Sequence, residues 1–135
     1  MEFNLGMAHR DEVRHLLQRS REFQETAKYQ LNNGFFGLAA FSLEQSLQLH
    51  LRAKLLENGV DYPRHHSVRT LIEMLEEVAD NDTTIELKNI KNKYLLELGI
   101  LEDAYISSRY LMREFKKEEV EKLKKAVEDV IKNVK

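Results

Sequence analysis

The feature that most constrains this chain is how rarely its helical rhythm is interrupted. Apolar residues return every three or four positions from about Asp11 to Val134, and the 135 residues include one proline and five glycines. Those two residue types are the ones that most weaken a helix interior. Long helices joined by few turns are therefore expected, and no segment sustains the two-residue alternation of a half-buried strand.

The spacing predicts five helices. The first runs from about Asp11 to Asn32, with Val13, Leu16, Leu17, Phe23, Ala27 and Leu31 on one stripe; Asn32, Asn33 and Gly34 suit its left-handed end. The second, about Phe36 to Asn58, is apolar on two sides. Phe36, Ala40, Leu43, Leu47 and Leu51 form one stripe, and Leu38, Phe41, Leu49 and Leu56 lie roughly opposite. Such a helix is either buried centrally or shared between its own bundle and a partner, and a dimer contact is the expectation adopted. The connection ENGVDYPRHHS is punctuated by Gly59 and Pro63.

A third helix is expected from Ser67 to about Ala79, with Val68, Leu71, Ile72, Leu75 and Val78 inward. A fourth starts in DNDTTIE, where Thr83 and Glu86 have capping-box spacing. It carries Leu87, Ile90, Tyr94, Leu98, Leu101, Tyr105 and Met112 along one stripe, with Gly99 as a candidate bend. The fifth spans about Lys117 to Asn133, with Val120, Leu123, Val127 and Val130 inward and Val134 just beyond. The fold class is all-α: an antiparallel up-and-down bundle of about five helices, read as dimeric and as one domain over residues 1–135.

Composition removes several function classes. There is no cysteine, hence no disulfide framework, zinc ribbon or thiol nucleophile. The formal charge of −2 gives no general attraction for nucleic acid, so any anion-binding surface must be local. No apolar run approaches the roughly 18–20 residues of a membrane span. The opening MEFNLGMAHRDEVRHL is too charged for a signal peptide, so a soluble cytoplasmic protein is expected. Neither a phosphate loop, a dinucleotide glycine fingerprint, Gly-x-Ser-x-Gly nor HExxH occurs.

Four places hold residues of chemical interest. Glu12-Val13-Arg14-His15 is the Glu-x-x-His half of a di-metal site, but only one copy exists and His15 lies off the apolar stripe; a solvated face is expected, with no metal. His50 at the edge of the second helix's stripe is read as a hydrogen-bonded interface residue rather than a catalyst. At the third helix, Ser67 is a candidate N-cap, and the helix start beside Arg64 and Arg69 would also suit an anion. Finally, LEDAYISSRY (101–110) gathers Asp103, Tyr105, Ser107, Ser108, Arg109 and Tyr110. Tyr105 and Arg109, four apart, share a face; Asp103, Ser107 and Tyr110 form the next one. Two accounts stand: an internal Asp–Arg–Tyr network closing the bundle end, or a phosphate clamp built on the Arg109 fork.

Taken together, these segments resemble HEPN domains (higher eukaryotes and prokaryotes nucleotide-binding). QSLQLHLRAKLL (45–56) resembles the family's second-helix pattern, HSVRTL (66–71) its His-Ser/Thr-Leu-x-x-Leu, and AYISSRY (104–110) its Ala-x-Tyr-x-x-x-Arg-Tyr. FKKEEVEKLKKAVEDVIKNV is similar to its closing helix, so the likeness covers about residues 10 to 134. The resemblance implies a bundle of about five helices, commonly dimerised, often encoded beside a small nucleotidyltransferase. Such pairs act as toxin–antitoxin systems or nucleotide-handling complexes.

By motif position it points to His66, Ser67, Tyr105, Arg109 and Tyr110; Asp103 and Arg69 join them by proximity. Gln48 departs from a position that is often Glu in the family. Ribonuclease members carry Arg, four to six residues, then His in the late helix, whereas here no histidine follows His66. Arg10 and His15 have that spacing in the first helix, a match taken as chance.

The expectation is a non-catalytic protein without a cofactor, which binds a nucleotide such as ATP or GTP or serves a nucleotidyltransferase partner. A ribonuclease toxin with a divergent site, the one reading with RNA as target, and a purely structural bundle are the alternatives.

Overall fold

The structure is a computed structural model that describes residues 2–62, 67–105 and 113–134, with backbone only for 2–8 and Tyr105. Among the described residues there are six helices and no strand: α1 (Glu2–Asn32), α2 (Phe36–Glu57), α3 (Val68–Val78), α4 (Asn81–Lys93), α5 (Leu95–Tyr105) and α6 (Lys117–Asn133). The all-α bundle matches expectation, and α6 keeps its expected bounds. The first helix begins earlier than the apolar stripe, at Glu2 instead of about Asp11.

α1 and α2 form an antiparallel hairpin. Gly34 takes the left-handed φ of 79°, and Phe35 N–H reaches back to the Gln30 carbonyl at 2.8 Å. α2 then runs through the centre, against α1, α3, α5 and α6. That enclosure explains its two apolar sides. Leu43, Leu47, Leu51 and Leu55 are buried, but so are Ser42, Glu44, Ser46, Gln48 and His50. Central burial therefore accounts for most of this helix. Leu38 remains 47% exposed near the hairpin tip.

Buried polar groups on α2 are held by named partners, as a dry interior requires. Ser20 Oγ on α1 donates to the Ser46 carbonyl at 2.6 Å, and Ser42 Oγ donates to Gln30 Oε1 at 2.7 Å. These bonds fix the register of the hairpin, because a shift along either helix would strand a hydroxyl in the core.

Two corrections concern the fourth expected helix. It is not continuous: it breaks after Lys93 at Tyr94, and Gly99 lies inside α5. Tyr94 (φ −112°, ψ 33°) is buried and donates its hydroxyl to Asp129 on α6. That anchor redirects the chain, so Leu98 and Leu101 are buried while Leu96 is 77% exposed. The start is also different, since the cap is Asp80, whose carboxylate accepts from Thr83 N–H at 2.7 Å, instead of a Thr83–Glu86 box. In α3, Val78 turns outward at the end of the helix and is exposed.

α6 closes the bundle with Val120, Leu123, Val127 and Val130 inward, and Val134 just beyond is buried as well. Its first turn is held by Glu119, which accepts from Lys116 N–H at 3.1 Å and from Arg113 at 2.7 Å. Among the described residues no helix is long and apolar enough to cross a membrane.

Candidate functional site

Ser67 and Arg69 open α3, and Glu102 lies on the last turn of α5. Ser67 takes an extended backbone (φ −66°, ψ 155°), and its hydroxyl accepts from Thr70 N–H at 3.2 Å, satisfying one of the orphan donors of the first turn. Two residues on, the Arg69 guanidinium reaches across to α5. Its Nε and Nη2 donate to the two Glu102 carboxylate oxygens at 2.7 and 2.8 Å, a bidentate fork. The guanidinium holds the Glu102 carboxyl below its ordinary pKa, and the carboxylate in turn raises that of Arg69.

Between α3, α4 and α5 lies a groove of about 460 Å³ whose walls include Ser67, Arg69, Thr70, Lys91, Asn92 and Glu102. Lys91 is tied to Glu76 at 2.7 Å across the α3–α4 interface. The groove is thus lined by charges that already have internal partners, and an entering anion would compete with Glu102 for the Arg69 fork. Leu95 supplies the apolar part of the lining.

This end of the bundle joins the described parts of two segments, Ser67 to Arg69 and Glu102 to Ala104. Ser67 directly follows residues 63–66, and α5 runs into residues 106–112. The Arg69–Glu102 fork joins the two elements, so Ser67, Arg69 and the 102–105 turn are neighbours. Asp103 is exposed on α5. His66, Arg109 and Tyr110 lie outside the described residues, as do the Tyr105 side chain and Met112.

Glu102 was not singled out by spacing. Its partner is 33 residues away, and nothing in the local string distinguishes it from Asp103 beside it. Ser67→Ala should lower stability by about 1 kcal/mol, the usual cost of losing an N-cap hydroxyl. A urea titration checks this; an unchanged midpoint would mean that the cap contributes nothing.

The remaining candidates resolve differently. His15 is exposed, and Glu12 accepts from the Tyr62 hydroxyl at 3.0 Å. Glu12 alone therefore helps to pin the α2–α3 connection onto α1, with Arg52 over the Tyr62 ring at 5.3 Å. His50 is buried, and its Nε2 donates to the Val134 carbonyl at 2.8 Å. Burial depresses its pKa, which keeps the ring neutral and in the tautomer that makes this bond.

A family comparison adds to this geometry. The family model described as HEPN domain matches residues 13–135, nearly the whole chain. The chain belongs to the HEPN domain family. No match is found among curated proteins or among solved structures. In this HEPN chain the departure at Gln48 has a structural consequence. Gln48 Nε2 donates at 2.7 Å to Glu44, one turn earlier, and Gln45 Nε2 donates to the other Glu44 oxygen at 2.8 Å. Glu44 is thus fully buried and caged by two amides, with its pKa pushed up to about 7 by desolvation.

Proposed function

We propose that the protein is a non-catalytic HEPN bundle that binds the phosphates of a nucleotide, ATP or GTP, at the α3–α5 end, and that it works with a nucleotidyltransferase partner as one half of a toxin–antitoxin-like pair. The observation that carries this reading is the Arg69–Glu102 fork. It draws the start of α3 and the end of α5 together beside a groove of about 460 Å³. On this reading Arg109 contacts phosphate, Tyr105 and Tyr110 stack or hydrogen-bond, and Asp103, His66, Ser67 and Arg69 form the adjoining polar wall. A homodimer belongs to the same reading, with Tyr29, Phe35 and Leu38, all exposed near the α1–α2 tip, as the apolar surface available to a second copy.

Family membership supports the general type, and the late segment supports binding over cutting. No histidine follows His66, so the imidazole that would shuttle protons in metal-independent RNA cleavage is missing from that segment.

Calorimetric titration with ATP and GTP tests the proposal. Saturable binding is expected, weakened at least about tenfold by Arg109→Ala, the loss of one bidentate charge-assisted contact. If neither nucleotide binds, or if Arg109→Ala alters only the melting temperature, the nucleotide reading fails. If the protein cleaves RNA and the same substitution abolishes cleavage, the non-catalytic reading fails.

A further inference from the structure

A second groove lies away from the α3–α5 end. Its first part, about 730 Å³, is bounded by α1, the last turn of α2 and Gly59, over a floor of Val13, Leu17 and Leu56. Its continuation, about 460 Å³, passes between α1, His50 and the end of α6, over Leu17, Ile131 and Val134. The two parts share Leu17 and Lys54, so they form one trough following α1 from His9 to Gln24. At 1.5 Å per residue this is about 22 Å, the length of a helix of roughly fifteen residues.

The charge along this trough is one-sided. Arg10, Arg14 and Arg21 fall within about 40° of one another around α1 at 100° per residue, so they stand in a row on one rim. Lys54 stands on the opposite wall. Against these four cations the described residues of the lining offer one carboxylate, Glu57, which pairs with Lys54 at 3.1 Å. Arg14 has a long contact of 3.7 Å to Asp11, outside the trough, while Arg10 and Arg21 have no ion pair among the described residues. A net-positive trough on a chain of net charge −2 is a local feature.

We propose that this trough is a docking groove for an acidic amphipathic helix of a partner protein. Such a helix would lay its leucine-type face on Val13, Leu17 and Leu56 and set carboxylates against the Arg10–Arg14–Arg21 row. The floor decides between this occupant and a single-stranded nucleic acid. Nucleic-acid grooves pair their cations with aromatic platforms for base stacking, and among the described residues no Phe, Tyr or Trp lines this trough. A phosphate backbone would satisfy the arginines and leave the aliphatic floor wet.

The test uses the full chain and two fluorescein-labelled peptides of about sixteen residues, the helical length that fits the trough. Both carry leucines at helical i, i+3, i+4 and i+7 positions; one has glutamates elsewhere, the other lysines. Fluorescence anisotropy should show saturable binding of the glutamate peptide and at least tenfold weaker binding of the lysine peptide. Arg10→Glu/Arg14→Glu/Arg21→Glu, all at exposed positions, should reverse that preference with unchanged helical circular dichroism. Leu17→Gln should weaken the glutamate peptide without changing its preference. Three results overturn the proposal: no binding of the glutamate peptide or equal binding of the two; displacement of the glutamate peptide by a single-stranded RNA of equal charge at lower concentration; or dissociation of an oligomer of the chain alone by the triple reversal, which would assign the groove to a second copy.

Discussion

Glu44→Gln is expected to stabilise the protein at pH 8 by about 2–3 kcal/mol and to leave it nearly unchanged at pH 4. Glu44 is fully buried, and its carboxyl is pushed up to about 7 from an ordinary 4.5, chiefly by desolvation. The side-chain amides of Gln45 and Gln48 and the charge of Arg52 oppose that rise without cancelling it. A raised carboxyl pKa means that the folded state holds the proton more tightly than the unfolded chain does. Below pH 4.5 both states are protonated and no penalty exists. As pH rises from 4.5 to 7 the unfolded chain releases its proton first, and stability falls; above 7 the full cost remains. A shift of this size corresponds to about 3 kcal/mol. Glutamine keeps the shape and removes the charge, and an amide flip at Gln45 or Gln48 restores hydrogen-bond complementarity. Urea unfolding of both proteins from pH 4 to pH 8 isolates this one group from the surface carboxylates, which are common to both. A constant difference across that range would show that Glu44 does not carry the pH dependence.

Leu101→Ala should lower stability by about 3 kcal/mol, within the 2–5 kcal/mol typical of removing a fully buried leucine. Leu101 has no exposed surface and is part of the common core. It lies beside Glu102, so loosening α5 at this point also loosens the Arg69 fork. Denaturant midpoints should fall, and amide exchange should accelerate in α5 more than in α6. Leu96→Ala on the same helix, at a position 77% exposed, should change stability by less than about 0.5 kcal/mol. Equal losses at the two positions would contradict the orientation of α5 set by Tyr94.

The orientation of α5 also shows where sequence reading stops. The described part of the stripe, Leu87, Ile90, Tyr94, Leu98 and Leu101, is buried as its periodicity predicts, yet the helix carrying it is broken. Glycine is the visible weak point in the string, so Gly99 was the natural candidate for a bend. The break falls instead at a tyrosine whose hydroxyl is claimed by Asp129, 35 residues later. Local propensity ranks residues by what they cost in isolation, and a single partly buried long-range bond to a charged group outweighs the fraction of a kilocalorie separating most of them.

The same division runs through the candidate site. The serine cap could be found because capping is a local rule. Glu102 could not, because its role depends on where Arg69 arrives. Glu44 is the strongest case. Its segment SLEQSLQLH mixes polar and apolar residues through a helix, which on the surface of a bundle would put the acid in water. The two apolar sides of α2 hinted at a central position, but a hint of enclosure says nothing about which carboxylate is enclosed.

The sequence by itself determined an all-α bundle, the helix ends that follow local capping and turn rules, such as the Gly34 turn and the Ser67 cap, and family membership through ordered short motifs. Those properties depend on residues three or four apart, which sequence displays directly. The tertiary structure alone decided the break at Tyr94, the caged acid at Glu44, the Arg69–Glu102 fork and the basic trough along α1. Each is a meeting of elements distant along the chain or a burial imposed by neighbours on every side, and the energies of such contacts follow from spatial arrangement, which periodicity does not encode.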